Sequence, residues 1–312
     1  MKTHTLLIIA LCFIVIFCFV FAFYQNQEKS SENCDFFVVS TGDSNGVDTI
    51  IGIRTSQAIG EDADQVVYPI ESLDNGDYFN LRYPFQSENR IYYTTTDAVT
   101  GEECIVSKSN TAPEWNDDST YYRKQTDWKI ILKKPGRITY KKVFDNLIYY
   151  LLVTDTAEIR CYDMSSKTDE LLISNISPTA SFDVHEDGTI LYVNEGNSIV
   201  LHDVDGTERE LGKGTTACFW VNAEIFLVNS SGASILSLTD GKSKKICSVT
   251  GTAIMVSPSK TYIALYDESD YKNLEYGYIN IIDIATGRIC EIKSIPNCIY
   301  GMAWFDDYYP IS

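Results

Sequence analysis

The sequence predicts an all-β fold, a β-propeller of four-stranded blades, preceded by one N-terminal transmembrane helix. Three observations lead to this prediction. An uncharged apolar run opens the chain, short strand patterns bounded by turn residues fill most of the remainder, and these patterns recur about every 40 residues. Four strands in each copy of such a repeat are typical of propeller blades.

The first element is the uncharged run Leu6–Phe23, 18 residues long. It just reaches the ~17–25 residues that a helix needs to cross a bilayer. Lys2 precedes it, which predicts a cytoplasmic N-terminus and an extracytoplasmic remainder. A cleaved signal peptide is the alternative, but Phe21-Ala22-Phe23-Tyr24 places bulky residues where cleavage needs small ones. We therefore expect residues 1–24 to be an uncleaved anchor in the cell membrane, followed by a polar linker over 25–33.

Composition limits the partners of the remaining domain, residues 34–312. The chain carries 43 acidic against 25 basic residues, a net charge of −18. An acidic excess of this size repels phosphate backbones, so we expect no nucleic-acid partner. Since 45% of the residues are hydrophobic, the chain has ample material for a folded core.

The repeat is clearest from Arg137 onward. The first strand of each unit begins with a pair that ends in a small residue, which suits the crowded centre of a ring. These pairs are Thr179-Ala180, Thr216-Ala217, Thr252-Ala253 and Tyr300-Gly301. A very apolar second strand follows, and a turn with glycine, such as Asp205-Gly206, Asp240-Gly241 or Thr286-Gly287, precedes the fourth.

One copy carries a family motif. The stretch Val256-Ser257-Pro258-Ser259-Lys260-Thr261-Tyr262-Ile263-Ala264, followed by Ile281-Ile282-Asp283-Ile284-Ala285-Thr286-Gly287, resembles the repeat of TolB-like (WD40-like, PD40) propellers. It departs from the family pattern at Ser259-Lys260, where Asp-Gly is usual. The resemblance covers roughly 137–292 and implies the fold. It does not select a function, because such propellers serve as docking platforms, as gates beside peptidases and occasionally as enzymes.

The two ends of the domain predict how the ring closes. Met302-Ala303-Trp304-Phe305 is typical of an innermost strand without followers, whereas the strands near residues 35–40 and 49–53 lack an inner strand. Pairing them would remove the last open sheet edges. Cys34 and Cys298 would then lie near one seam, where they could form a disulfide bond. We expect six blades, with seven as the second choice, because long connections occupy 62–134.

Catalytic patterns are absent from the sequence. His185-Glu186, for example, lacks the second histidine of a zinc-protease motif, and we expect neither a cofactor nor a metal site. The sequence therefore favours a binding or docking module for a protein, peptide or glycan. The alternative is a propeller-type lyase or glycoside hydrolase, which would require two or three carboxylates to converge at the channel mouth.

The predicted binding face is the rim, which we define as the turns between second and third strands together with the linkers between blades. Carboxylate, amide and tyrosine side chains there suit a cation, a basic peptide or a sugar, although a merely solvated acidic edge is the alternative. The candidates are Asp155, Glu195, Asn197, Asn229, Asp267, Glu268, Asp270, Tyr271, Glu275 and Tyr276.

Overall fold

The computed structural model describes residues 36–43, 46–54, 68–71, 78–97, 99–109, 129–178, 181–266, 276–296 and 298–305. The predicted anchor, 1–24, and the predicted linker, 25–33, lie outside these residues. Among the residues that are described, no helix combines the length and the hydrophobicity needed to cross a membrane.

All described strands belong to four-stranded antiparallel sheets, and five of these sheets are blades made of consecutive strands. The chain begins with β1 (Phe36–Asp43), β2 (Gly46–Arg54) and β3 (Tyr68–Glu71). Blade I contains β4 (Tyr78–Ser87), β5 (Arg90–Asp97), β6 (Glu103–Ser109) and β7 (Lys129–Lys134). Blade II contains β8 (Arg137–Phe144), β9 (Leu147–Val153), β10 (Ala157–Asp163) and β11 (Thr168–Ile176).

The next three blades follow the same plan. Blade III contains β12 (Phe182–Val184), β13 (Ile190–Val193), β14 (Ser198–His202) and β15 (Glu208–Lys213). Blade IV contains β16 (Thr216–Phe219), β17 (Glu224–Asn229), β18 (Gly232–Ser237) and β19 (Ser243–Lys245). Blade V contains β20 (Ala253–Val256), β21 (Tyr262–Tyr266), β22 (Tyr276–Asp283) and β23 (Ile289–Pro296), and β24 (Cys298–Phe305) ends the series. The prediction of an all-β propeller with four-stranded blades is confirmed.

A sixth sheet, the closing sheet, joins the two ends of the domain in the order β24-β1-β2-β3. Its β24 lies antiparallel to β1, with Ala303 opposite Val38. The predicted pairing of the chain ends is confirmed. The expectation of six or seven blades needs correction, because among the described strands only five blades come from consecutive strands and the sixth sheet takes strands from both ends. Over 62–134, where long connections were expected, the described strands are β3 and those of blade I.

The innermost strands form a closed series around the centre. Each of β4, β8, β12, β16, β20 and β24 contacts the next, and β24 contacts β4. Apolar clusters fill the spaces between neighbouring blades, as between III and IV, where Leu191 and Ile199 pack with Ile225 and Leu227. A blade cannot bury both of its faces alone, so this packing against neighbours provides the core.

Tight turns connect several of the described strands. Between third and fourth strands, Gly206 and Gly287 have φ values of 84° and 70°, in the left-handed region that glycine enters without steric cost. In blade V, Lys260 adopts a φ of 61° at the position where the family usually has glycine. The Ser257 hydroxyl oxygen accepts a 3.1 Å hydrogen bond from the Tyr262 N–H in this turn. The turn therefore forms despite the departure from the motif.

Candidate functional site

The structure places four of the predicted candidates at the rim. Because the strands of a blade alternate in direction, second-to-third turns and linkers to the next blade lie at the same end. Asp155, Glu195, Asn197 and Asn229 occupy or flank such turns. In blade III the turn contacts the following linker, since the Gly214 N–H donates to the Asn197 carbonyl oxygen at 3.0 Å. The predicted neighbourhood of turn and linker is therefore present in blade III.

Two of these four residues have roles in forming the turns. The Asn229 Oδ1 accepts hydrogen bonds from the N–H and the hydroxyl of Ser231, at 2.8 and 2.6 Å. Asn197 has a φ of 56°, a conformation that asparagine tolerates better than most residues. Asp155 and Glu195 are exposed. Of the described rim candidates, only these two carboxylates lack an evident turn-forming role.

Among the other rim candidates, the structure describes only the backbone of Tyr276. Tyr276 opens β22, where its backbone pairs with Pro296. Asp267, Glu268, Asp270, Tyr271 and Glu275 lie outside the described residues, and their binding role stays a prediction.

The predicted Cys34–Cys298 disulfide also stays a prediction. Cys298 is the first residue of β24 and its backbone pairs with Gly42, but Cys34 lies outside the described residues. Within the described part, the free thiols include Cys104, Cys161, Cys218 and Cys247.

The centre of the ring contains a small axial cavity of about 30 Å³, lined by residues of the innermost strands. That space is close to the volume of one water molecule. An ion pair lies on its wall: Lys142 Nζ, from blade II, is 2.9 Å from Oδ1 of Asp183, from blade III. The Oδ2 of Asp183 accepts a 2.9 Å hydrogen bond from the Phe219 N–H of blade IV. Asp183 therefore links the innermost strands of three successive blades.

Electrostatics explain the state of this ion pair. Burial lowers the pKa of Lys142, but the adjacent Asp183 carboxylate more than offsets this effect and leaves the pKa above its ordinary value. The lysine is thus a permanent cation and a poor nucleophile. Among the described residues that line the axial cavity, Asp183 is the one carboxylate. Glycoside hydrolases generally need two carboxyl groups at the active site.

A larger cavity, of about 380 Å³, lies between blades III and IV at the end opposite to the rim. We call it the III/IV cleft. Its walls come from the turns between first and second strands and between third and fourth strands of both blades. This volume falls in the range typical of small-ligand sites, about 300–1,000 Å³.

Aromatic side chains form one wall of the III/IV cleft. The rings of His185 and Phe219 lie 5.3 Å apart at 57°. Trp220 packs against Phe226 with 5.1 Å between ring centroids, and its Nε1–H donates to the Lys260 carbonyl oxygen at 3.3 Å. Contacts on one ring face and at the nitrogen fix the orientation of the indole.

The charged side chains of the III/IV cleft fall into two groups. Asp187 is engaged through one oxygen: its Oδ1 accepts from the Thr189 N–H at 2.9 Å and lies 3.0 Å from His185 Nδ1. The Thr189 N–H, followed by His185, holds the pKa of Asp187 below its ordinary value. Asp203, Arg209 and Glu224 also line the cleft, and their side chains form no hydrogen bond or ion pair with any described residue.

The sequence reasoning did not find this cleft. It interpreted His185 and the Asp187-Gly188 pair as parts of a turn, which they are. The available signal was Phe219-Trp220-Val221, a large apolar triplet that ends a first strand and opens the turn after it, where blade V has Val256-Ser257-Pro258. The cleft arises only when two such turns, distant in sequence, become neighbours.

Sequence comparisons identify no relative: no family model matches the chain, and no curated protein matches it. The fold does have solved counterparts. TolB from Acinetobacter baumannii is similar with a TM-score of 0.61 and 14% identity, over 87% of this chain and 66% of that one. AztD from Citrobacter koseri has a TM-score of 0.46 and 10% identity, over 87% of this chain and 98% of that one.

The comparison with TolB supports the fold. The chain has a β-propeller fold similar to that of TolB, as its repeat motif predicted. It spans just under two thirds of the length of the TolB chain. At this identity the likeness carries over no ligand, partner or activity.

Proposed function

We propose that this chain is a membrane-tethered binding module whose propeller captures a protein, peptide or glycan in the III/IV cleft. The observation that carries the proposal is the cleft itself. It offers about 380 Å³ of space and a fixed aromatic wall, together with the charged side chains of Asp203, Arg209 and Glu224, which lack partners in the described structure. Concave, partly apolar sites with a few polar groups are the usual form of binding sites.

The proposed location is extracytoplasmic, with the N-terminus in the cytoplasm. Its support is the uncharged run Leu6–Phe23 with Lys2 before it. A membrane-impermeant amine reagent should therefore label the exposed Lys244 and Lys245 in intact cells. Labelling that appears only after the cells are opened would contradict this orientation.

Binding is a better-supported function than catalysis. The enzyme alternative requires paired carboxylates at the channel mouth. Asp183, the carboxylate among the described residues of the axial cavity, is already engaged by Lys142 and by the Phe219 N–H. These contacts give the Asp183 carboxylate a structural role, because they connect neighbouring blades.

The test is site-specific photocrosslinking with the full chain in its native membrane. A photoreactive residue at Asn222, exposed beside the III/IV cleft, should trap a partner. The matched control is the same residue at Asn197, which is also an exposed asparagine with a positive φ but lies at the rim. If adducts form at Asn197 and none form at Asn222, the binding site is at the rim and not in the III/IV cleft. The absence of adducts at both would contradict the proposed function.

A further inference from the structure

The charge balance of the III/IV cleft indicates the kind of ligand that it accepts. Asp187 is already paired with His185. The unpartnered groups are the two carboxylates of Asp203 and Glu224 and the single guanidinium of Arg209. The cleft therefore has an excess of uncompensated negative charge, in a chain whose net charge is −18. A ligand that covers these carboxylates without a positive charge would desolvate them at a cost.

The apolar lining of the cleft suits an aliphatic chain. Leu201 is almost fully buried, and the half-buried Val221 and Leu238 lie in the same cavity. Lysine and arginine side chains place their methylene stems along surfaces of this kind while their charged ends reach polar groups. Among common biological ligands, these side chains combine such a stem with a cationic end.

The aromatic wall favours the same ligand. Because the indole nitrogen of Trp220 is occupied by the Lys260 carbonyl, the ring can offer a ligand a π-face. Phe219, held against His185, supplies a second aromatic surface. A guanidinium or ammonium group gains electrostatic attraction from ring faces in addition to its pairing with carboxylates.

Arg209 restricts the choice further. It is exposed, it lines the same cleft and it has no partner among the described residues. Its guanidinium repels a second cation, but it can donate hydrogen bonds to peptide carbonyl groups. The cleft is thus unsuited to a run of consecutive basic residues and suited to one basic residue within a neutral peptide.

From these observations we infer that the III/IV cleft recognises a peptide segment through a single arginine or lysine side chain, which Asp203 and Glu224 bind. The inference rests on the proposed function and names the class of its ligand. A glycan would satisfy the aromatic wall but would leave the carboxylates without a counter-charge.

The test uses the full chain in nanodiscs of neutral phosphatidylcholine. The probe is acetyl-Ala-Ala-Arg-Ala-Ala-amide, and its neutral control contains citrulline, which has nearly the same shape as arginine. Calorimetry should record binding of the arginine peptide, with the citrulline peptide weaker by about tenfold or more, as expected for loss of a charge pair. The double variant D203N/E224Q should weaken the arginine peptide by a similar factor of about ten.

The rim supplies the matched control, D155N/E195Q, which removes the same charge from the opposite end. Its affinity for the arginine peptide should stay within about twofold of the unmodified chain, because distant sites are usually independent. Equal weakening by both double variants would mean attraction to an acidic surface in general and would overturn the inference. Equal binding of the arginine and citrulline peptides would also overturn it. Thermal melts of both variants verify folding.

Two further outcomes separate this inference from the proposed function. If chitohexaose binds and D203N/E224Q abolishes its binding, the ligand is a glycan: the inference is overturned and the proposed function stands. If the arginine peptide does not bind while photocrosslinking at Asn222 traps a partner, the inference is again overturned and the proposed function again stands. If neither the arginine peptide nor chitohexaose binds and no adduct forms at Asn222, the inference and the proposed function are both contradicted.

Discussion

The two ends of blades III and IV differ in how their polar side chains are used. At the rim, the Asn229 side chain is engaged in its own turn, and Lys213 Nζ lies 3.0 Å from the Gly196 carbonyl oxygen and 2.6 Å from the Ser198 hydroxyl. At the III/IV cleft, Asp203 and Glu224 are left without partners in the described structure. An unpartnered polar group beside a cavity is a better indicator of binding than a polar group that completes a turn.

The largest expected effect comes from Asp183, which contacts both the axial lysine and the backbone of a cleft strand. D183A leaves Lys142 without its carboxylate and the Phe219 N–H without its acceptor. We expect a loss of about 4 kcal/mol in the free energy of unfolding, as for other buried pairs that lose one partner. Urea denaturation measures it. A loss below about 1 kcal/mol would show that the three-blade link contributes little to stability.

The next prediction compares glycines at the two ends. Both Gly232, beside the rim, and Gly206, at the cleft end, have positive φ, of 116° and 84°. A Cβ on Gly232 would lie 2.2 Å from the Cys247 carbonyl oxygen, whereas one on Gly206 would meet nothing within 4 Å. G232A should therefore cost about 3 kcal/mol and G206A only the backbone strain of about 1 kcal/mol.

Thermal or urea unfolding of the two glycine variants tests whether the rim end is the more tightly packed. Both substitutions carry a backbone penalty for positive φ, which is larger at Gly232 because its φ of 116° lies further from the left-handed region, and the steric clash adds to this difference. Similar losses for G232A and G206A would mean that the chain at Cys247 can move away, and would remove the proposed contrast in packing.

A smaller effect distinguishes two half-buried polar residues directly. N229A removes the acceptor of the Ser231 N–H and should cost about 1 kcal/mol. D203N removes a charge that has no partner among the described residues, so its effect on stability should stay within about 0.5 kcal/mol. Unfolding measurements on both variants check this. A clear loss from D203N would assign Asp203 a structural role and weaken its proposed binding role.

The fold was predictable because its signals are local. The Thr-Ala strand starts and the turns at Gly206 and Gly287 each depend on a few neighbouring residues, and the closing sheet followed from strands left without partners. The cleft was not predictable in this way. Whether Trp220 forms a wall, and whether Asp203 finds a partner, depends on contacts between two blades that the repeat pattern does not encode.

The rim candidates failed to reveal their roles for a related reason. Counting carboxylates and amides over the second-to-third turns selected Asn229 and Glu195 alike, since both have polar side chains in or beside these turns. The hydrogen bonds to Ser231 distinguish them, because they use the Asn229 oxygen within its own turn. Such engagement is a property of the folded chain and cannot be obtained from residue type.

The smallest expected effect is a pH dependence at the rim, where Asp97 ends β5. The side chain of Lys133, together with the N–H groups of Thr100 and Val99, lowers the pKa of Asp97 well below its ordinary value of 3.8. A carboxyl group whose pKa is lower in the folded than in the unfolded chain stabilises the fold above the unfolded value. This stabilisation is lost as the pH falls through the interval between the two values.

The chain should therefore become less stable below about pH 4, and D97N should lose part of this dependence because its amide does not titrate. Unfolding midpoints measured between about pH 2 and 7 test the prediction. The control is D203N, which removes a carboxylate that has no partner in the described structure. An acid profile of D97N that coincides with that of D203N would mean that the Asp97–Lys133 contact does not contribute to stability in solution. The carboxylate of Asp97 at the rim would then contribute no more to stability than the unpartnered carboxylate of Asp203 at the cleft.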